Sequence, residues 1–401
     1  MKSYQSDETE ALVHPNLRKE IANKPAQGRW LTIAIVSAVA ALGLFAYSSN
    51  ITSTGASSTT LLDTLSEQDS VKYNDLDEDS KLQLFDEYRS KFAREYVSQD
   101  EQNVKYENFK LFLAKIDERN EAESKNGGSA KHGVTIFSDL TETEFKENYL
   151  GYKVQSSDSK KLKQKKAVED YKGEKTTVDW SEVLTTAVKD QGYCGSCWAF
   201  SATEQLESDS IRAGLLTVSD TLSPQQIVSC DETDLGCDGG DTETAYEYIN
   251  KMGGMETDTE YPYTSYWGTT GTCSATASDY LVTVTAYYTV EGESDMKSFV
   301  LSTGPLSVCL SATTWSSYTS GVVSSCPTEV DHCVQAVGIG KEESGVEGGS
   351  SGSTYWIVRN SWGTYWGDAG YIYLLYGEDT CSISYDPTYV DAAVSPYSTR
   401  K

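Results

Sequence analysis

The sequence predicts an α+β protein whose C-terminal part has two lobes, and three observations predict it. Residues 197–254 hold helix-length segments, "CWAFSATEQLESDSIRAG" and "TAYEYINKMGG". Residues 305–377 hold four strand-like runs, "PLSVCLSA", "HCVQAVGIG", "TYWIVRNSW" and "GYIYLLYG", rich in β-branched and aromatic side chains. All nine cysteines lie between Cys194 and Cys381. Helices followed by strands indicate segregated layers around a shared core. Clustered cysteines with an odd total fit a disulfide-stapled secretory domain that keeps one free thiol.

The elements before these lobes follow in order. Residues 30–47, "WLTIAIVSAVAALGLFAY", run for 18 positions without a charge, long enough for a membrane span. Arg18, Lys19, Lys24 and Arg29 precede the run, and the next charge is Asp63. The positive-inside rule then leaves residues 1–29 as a cytoplasmic tail and sends the rest to the lumen, a signal anchor rather than a cleaved signal peptide. Asn50 in "NIT" is a glycosylation acceptor by pattern. Residues 48–80, Ser/Thr-rich and then acidic ("DLDEDS"), read as a disordered tether.

Residues 82–121 read as helix, with Leu82, Phe85, Tyr88 and Phe92 at helical spacing, then Phe109, Phe112, Ile116 and Asn120. "KNGGSA" breaks the pattern, "HGVTIFSDL" is strand-like, and "TETEF" opens another helix. Residues 151–176 carry eight lysines against four acidic residues and read as an exposed, cleavable linker. The domains are therefore 81–150, the linker 151–176 and a final domain over 177–401.

The chain has 33 basic and 60 acidic residues, a net charge of −27. From Thr177 onward there are 31 acidic and 8 basic residues, a net of −23. Such a surface excludes a nucleic-acid binder, which needs a basic footprint. A linker of net +4 before a domain of −23 predicts Coulomb attraction between them at neutral pH, weakened as carboxylates protonate.

"QGYCGSCWAF", residues 191–200, concentrates the chemistry. A redox pair would follow a strand in a βαβ unit, and zinc would need a second CxxC or paired histidines. Neither context is present in the sequence, and no metal or cofactor is expected. A nucleophilic thiol needs a base and gains from a helix N-terminus. Cys197 opens a helical run. His14 precedes the apolar run and His132 lies before the cysteine-rich domain, which leaves His332. Asn360 is of the right type to orient that imidazole, and Gln191 to donate to an oxyanion.

These residues resemble the papain-like cysteine proteases, the cathepsin L branch in particular. "QGYCGSCWAF", "DHCVQAVG", "RNSWGTYWGDAGY" and "GCDGG" occur in the family's order between Val178 and about Val390. The resemblance implies Cys197 as nucleophile, His332 as base, Asn360 as its orienter and Gln191 as oxyanion donor. It implies Trp362 as a shield over the His–Asn pair and Gly240 as the strand that binds substrate backbone. His332 lies 135 residues after Cys197, within the spacing of about 130–150 that the family shows. Asn360 lies 163 after it, lengthened by the polar loop "KEESGVEGGSSGST".

The N-terminal part resembles the family's inhibitory propeptide. Glu101, Lys105, Phe109, Phe112, Ile116 and Asn120 keep the spacing of its helical motif, with Lys for Arg and Phe for Asn. Gly133, Thr135, Phe137 and Asp139 follow its second motif. The resemblance thus implies a papain-like fold, with a helical left lobe and a β-barrel-like right lobe, made as a zymogen that is cut within 165–177. It pairs Cys194 with Cys237, Cys230 with Cys273, and Cys326 with Cys381. Cys309 and Cys333 occupy walls of the main specificity pocket, S2, bridged or free. Asp241 and Asp386 stand near the same pocket and suggest tolerance of a basic residue at P2.

The expected protein is therefore a monomeric endopeptidase acting on peptides and proteins in an acidic endomembrane or secreted compartment. Its own propeptide inhibits it and its N-terminal helix binds the membrane. An exopeptidase, an inactive scaffold and a thiol oxidoreductase using Cys194 and Cys197 are the competing readings.

Overall fold

The computed structural model describes residues 60–66, 72–156, 160–342 and 352–399. The apolar run 30–47 and Asn50 lie outside them. Among the described residues no helix is long and apolar enough to cross a membrane.

The chain divides into a unit ending at Leu111 and a unit from Phe112 onward. In the first, helices α1 (Leu61–Ser66) and α2 (Glu78–Lys91) precede the start of α3 (Gln99–Asn126). Asp77 caps α2 by accepting from Ser80 N, with Glu78 and Asp79 in its first turn and Arg89 and Lys91 in its last, matching the helix dipole. Its buried face is Leu84, Phe85 and Tyr88, and Phe85 and Tyr88 pack on Phe109 at 5.3 and 5.2 Å. Leu82, expected on that face, is 46% exposed.

Two other expectations change here. The helix read over 82–121 is two helices, because Phe92 caps α2 and Ala93 turns to a φ of 47°. The tether read over 48–80 contains α1, with Leu62 and Leu65 buried, and a 3-10 turn at Tyr73–Asp75.

In the second unit, α3 buries Phe112, Leu113 and Ile116, and Asn120 holds both backbone groups of His132. The strand-like "HGVTIFSDL" shortens to β1 (Lys131–His132), which pairs with the later segment Tyr318–Ser320. Helix α4 (Glu142–Tyr149) starts in a capping box between Thr141 and Glu144. Strands β2 (Lys163–Lys165) and β3 (Val178–Asp179) follow. The helical stretch comprises α5 (Cys197–Arg212), α6 (Pro224–Cys230) and α7 (Thr242–Met252). Then come β4 (Val282–Thr289), α8 (Gly292–Ser302), β5 (Leu306–Leu310), β6 (Tyr318–Ser320) and β7 (Val322–Val323). Strands β8 (His332–Lys341), β9 (Thr354–Arg359), β10 (Tyr371–Leu375) and β11 (Thr388–Val394) complete the chain.

Nine strands form one sheet, ordered β2-β4-β11-β5-β8-β9-β10-β7 with β3 paired to β8. Among the described residues its hydrogen-bonded path runs from β2 at one end to β7 at the other. Helix α5 buries every residue from Cys197 to Ser210 and packs on β8, β5 and β11. Trp198, Ala202 and Leu206 share a core with Tyr246, Ile249, Val284 and Val390. Each such side chain contributes about 1.5–3 kcal/mol of apolar burial, and this core fixes the start of α5 against the sheet.

Within the linker read as exposed over 151–176, Gly151 and Tyr152 are buried, whereas Lys153, Val154, Ser156, Lys161 and most residues from Lys163 onward are exposed. A short apolar-aromatic pair outweighs the polar average of the segment.

Candidate active site

Cys197 is the first residue of α5, after Ser196, which caps without a side-chain bond. The N–H end of that helix favours an anion, and the Trp198 N–H bonds the Cys197 thiol. The loop before it is held by the Cys194–Cys237 disulfide and by a 2.9 Å bond from Gly195 N to Cys237 O.

His332 opens β8, and Asn360 follows the last residue of β9. Because these strands pair antiparallel, with Gln335 opposite Arg359, the two side chains meet at one sheet end. His332 Nε2 lies 2.8 Å from Asn360 Oδ1, and both residues are fully buried. An amide oxygen accepts, so Nε2 carries the proton in this arrangement and Nδ1 is the basic nitrogen. Nδ1 has no hydrogen-bond partner among the described residues. The Trp362 ring lies 4.8 Å from the imidazole, with Trp366 packed edge-on behind it.

Gln191 is held from both ends. Its Oε1 accepts from Ser361 Oγ at 2.7 Å, and its Nε2 donates to Cys194 O at 2.9 Å and Tyr149 O at 3.0 Å. Tyr149 belongs to the propeptide-like segment, and the residues after it continue across the same surface. Tyr152 N donates to Asp331 O at 3.0 Å, Lys153 N to Gly240 O at 2.8 Å, and Gly240 N to Gly151 O at 2.9 Å. Glycine is required twice here. A Cβ on Gly151 would stand 1.9 Å from Gly195 O, and one on Gly240 would stand 2.6 Å from the Trp198 ring.

This occupancy sets the electrostatics. Burial pushes the Cys197 thiol up to about 11, against backbone hydrogen bonds from Cys333 and Gly151 that pull it down. Burial takes the His332 imidazole down to about 4, against the Asn360 hydrogen bond. Both shifts favour the neutral thiol and the neutral imidazole, since burial penalises each charge.

Disulfides join Cys194 to Cys237, Cys230 to Cys273 and Cys326 to Cys381, and Cys309 and Cys333, left open by the sequence, form a fourth. These two stand directly opposite across β5 and β8, with Cα atoms 4.0 Å apart. Cys197 is the free thiol. Tyr152 buries its ring against that bridge and Val330, and meets Tyr385 edge-on.

Asp241 and Asp386 flank this pocket without standing free in it. Asp241 caps α7 by accepting from Glu243 N, and its other oxygen accepts from Gln155 N. Lys160 Nζ lies 2.7 Å from Asp241 and 2.6 Å from Glu243, and Lys163 Nζ lies 2.6 Å from Glu243. Burial, then the Glu243 charge, raises the Asp386 carboxyl to about 7.

Several participants carried no sequence signal. Ser361 stands inside "RNSWG" beside two residues that did. Tyr149, Tyr152, Glu243 and Lys160 are joined to the site by contacts across at least 40 positions. Arg119, which bonds Ser316 Oγ and Ser317 Oγ, and His132, 2.9 Å from Ser317 Oγ, dock the segment in the same long-range way.

Residues 174–390 match the papain family of cysteine proteases, and residues 85–145 match the cathepsin propeptide inhibitor domain. Cysteine proteinase 1 of Dictyostelium discoideum is 35% identical over 322 residues, 75% of this chain and 90% of that one. Cysteine protease XCP2 of Arabidopsis thaliana is 38% identical, covering 74% of this chain and 81% of that one. Digestive procathepsin L 3 of Tenebrio molitor superposes with a TM-score of 0.66 at 27% identity, over 77% of this chain and 98% of that one. The precursor of stem bromelain does so with 0.62 at 30% identity, over 77% and 98%. With these matches on a cleft closed by its own upstream segment, the chain belongs to the papain family of cysteine proteases and is an autoinhibited zymogen of a cysteine endopeptidase.

Proposed function

We propose that Cys197 is the nucleophile of this endopeptidase and His332 its general base and acid. His332 Nδ1 takes the thiol proton and the thiolate attacks the scissile carbonyl. Gln191 Nε2 and the Cys197 N–H receive the oxyanion. His332 then protonates the leaving amine, leaving a thioester, and activates water to hydrolyse it. Asn360 holds the imidazole through Nε2, and Trp362 keeps water from that bond. Gly240 receives substrate backbone, and the pocket of Cys309, Cys333 and Asp386 receives the P2 side chain.

The observation that carries the reading is the path of Tyr149–Lys153. One five-residue stretch touches Gln191, Cys197, Asp331 and Gly240, the surface a substrate backbone would need.

The inhibitory domain is 81–150, the cut falls within 165–177, and the enzyme proper is 177–401. Residues 30–47 anchor the zymogen in an endomembrane with its catalytic part in the lumen. Four disulfides support an oxidising lumen, lysosomal, vacuolar or secretory.

The test is acidification of the full chain beside a Cys197→Ala control, read by gel and by a fluorogenic Phe-Arg peptide. Processing and turnover present in the first and lost in the control are expected. Turnover that survives the substitution ends the assignment of Cys197. Comparison with an Arg-Arg peptide tests the pocket: no Arg-Arg cleavage removes Asp241 and Asp386 from P2 recognition.

A further inference from the structure

Beyond Lys153 the linker does not leave the enzyme surface. One carboxylate oxygen from each of Asp241, Glu243 and Asp386 lies within 4.8 Å of the other two, a local charge that demands a cation. The linker supplies it. Lys160 and Lys163 make the ion pairs given above, and the Lys160 side chain is only 11% exposed there. Burial pulls the Lys160 ammonium down, but its hydrogen bonds to Asp241 and Glu243 outweigh this and hold it charged.

Three further features continue the contact. Leu162 packs against the core cluster under α7 and β4, and its N–H donates to Glu247. Lys163–Lys165 add as β2, parallel to Tyr287–Thr289 at the edge of β4. Lys166 Nζ stands 5.8 Å above the Tyr288 ring. Charge, apolar anchor, edge pairing and cation–π contact thus fall on one eight-residue stretch, "KKLKQKKA", residues 160–167. A cut within 168–177 releases that stretch. It leaves a carboxylate cluster and a strand edge whose N–H and C=O groups are unpaired.

We propose that this surface, Glu243 and the free edge of β4 with Asp241 and Asp386 that flank the P2 pocket, is a docking site continuing from the cleft for an extended, lysine-rich peptide segment. The segment adds to the edge as a strand, as peptides do on open sheets elsewhere. In the zymogen residues 160–166 are its occupant. In the processed enzyme a basic stretch of a protein substrate takes their place and lowers KM without changing the chemistry at Cys197. The proposal rests on the reading that the chain is cut after the docked strand.

The test uses the processed enzyme with Cys197 alkylated, so that binding is read without turnover. The probe is a fluorescent peptide of residues 160–167, which lacks the cleft-filling Tyr149–Lys153. Anisotropy should report saturable binding. It should be at least tenfold weaker for the peptide carrying Lys160→Ala and Lys163→Ala, and for a scrambled peptide of equal composition. Glu243→Gln in the enzyme should weaken it similarly. Since Glu243 lies in the first turn of α7, the peptide variants carry the decision if that enzyme does not fold.

Equal binding of native and scrambled peptides would reduce the effect to diffuse attraction by an acidic domain and overturn the site. No binding would overturn it too. If the chain neither processes itself nor turns over substrate, the proposed function fails. An enzyme cut in the linker by an added protease still gives the binding result, so the two failures are distinguishable.

Discussion

Gln191 Nε2 donates to the carbonyl oxygen of Tyr149 over 3.0 Å, so a propeptide carbonyl takes a donor that the proposed oxyanion needs. The second amide proton goes to Cys194 O, and Ser361 Oγ fixes which end of the amide faces the cleft. The donor is therefore preorganised, the condition under which such groups count most in a transition state. Gln191→Ala is expected to lower kcat by about 10²–10³ with KM little changed. Ser361→Ala, which frees the amide to rotate, should lower it by about tenfold. Steady-state kinetics on the processed enzymes decides. An unchanged kcat in Gln191→Ala would remove this residue from the oxyanion site.

Tyr152 fills the pocket over Cys309–Cys333 with 9% exposure, the position of an anchor in a binding interface. Truncating a buried aromatic anchor costs about 2 kcal/mol or more, roughly 30-fold in affinity. A separate propeptide carrying Tyr152→Ala should show an inhibition constant raised by at least that factor. Tyr152→Phe should change it little, since its hydroxyl makes no hydrogen bond among the described residues. Equal inhibition by the Ala variant would mean that the backbone contacts at Gly240 suffice.

Much of this site was legible in short stretches of sequence. Cys197, Gln191, Asn360 and Trp362 stand within runs of ten to thirteen residues whose local geometry positions them, and His332 opens an apolar strand. The propeptide was legible through the spacing of Phe109, Phe112, Ile116 and Asn120 on one helix. Other parts had no local signature. Phe92 continues the spacing of Tyr88 yet ends its helix, because the turn lies in the backbone of Ala93. Helix α8 starts without a side-chain cap. Lys160 looks like any linker lysine until the fold brings Glu243, 83 positions away, beside it.

His132 links docking to pH. Burial, and then the Arg119 charge, lower its imidazole to about 3, while a released propeptide would titrate near 6.5. It faces the Ser317 hydroxyl, and Asn120 holds its backbone. Between pH 6.5 and 3 the released form binds more protons, so its contribution to docking is complete above 6.5. That contribution falls by about 1.4 kcal/mol per pH unit below it. His132→Gln removes the titration while keeping a side chain able to bond Ser317. The pH dependence of propeptide inhibition between pH 6.5 and 4 should become shallower by about one proton. An unchanged slope would place acid release elsewhere.

The linker lysines and Asp386 act on docking with opposite signs. Lys160 neutralises carboxylates that the docked segment buries, and removing one partner of a buried pair leaves a charge without compensation. Lys160→Ala with Lys163→Ala should speed autoprocessing at neutral pH by at least about tenfold. Asp386 behaves differently, because burial raises its carboxyl to about 7 in the docked state. Burial is the largest cause and is greatest while the segment covers the carboxyl, against the Lys163 and Lys160 charges that pull it down, so its ionisation opposes docking as pH rises toward 7. Acid relieves that penalty, contrary to the expectation that protonating carboxylates only loosens the segment. Asp386→Asn should therefore slow autoprocessing at neutral pH and leave the rate near pH 4 unchanged. Gel-based rates at both pH values test the pair of variants. Faster processing of Asp386→Asn at neutral pH would show that its attraction for Lys160 and Lys163 outweighs the cost of burying its charge.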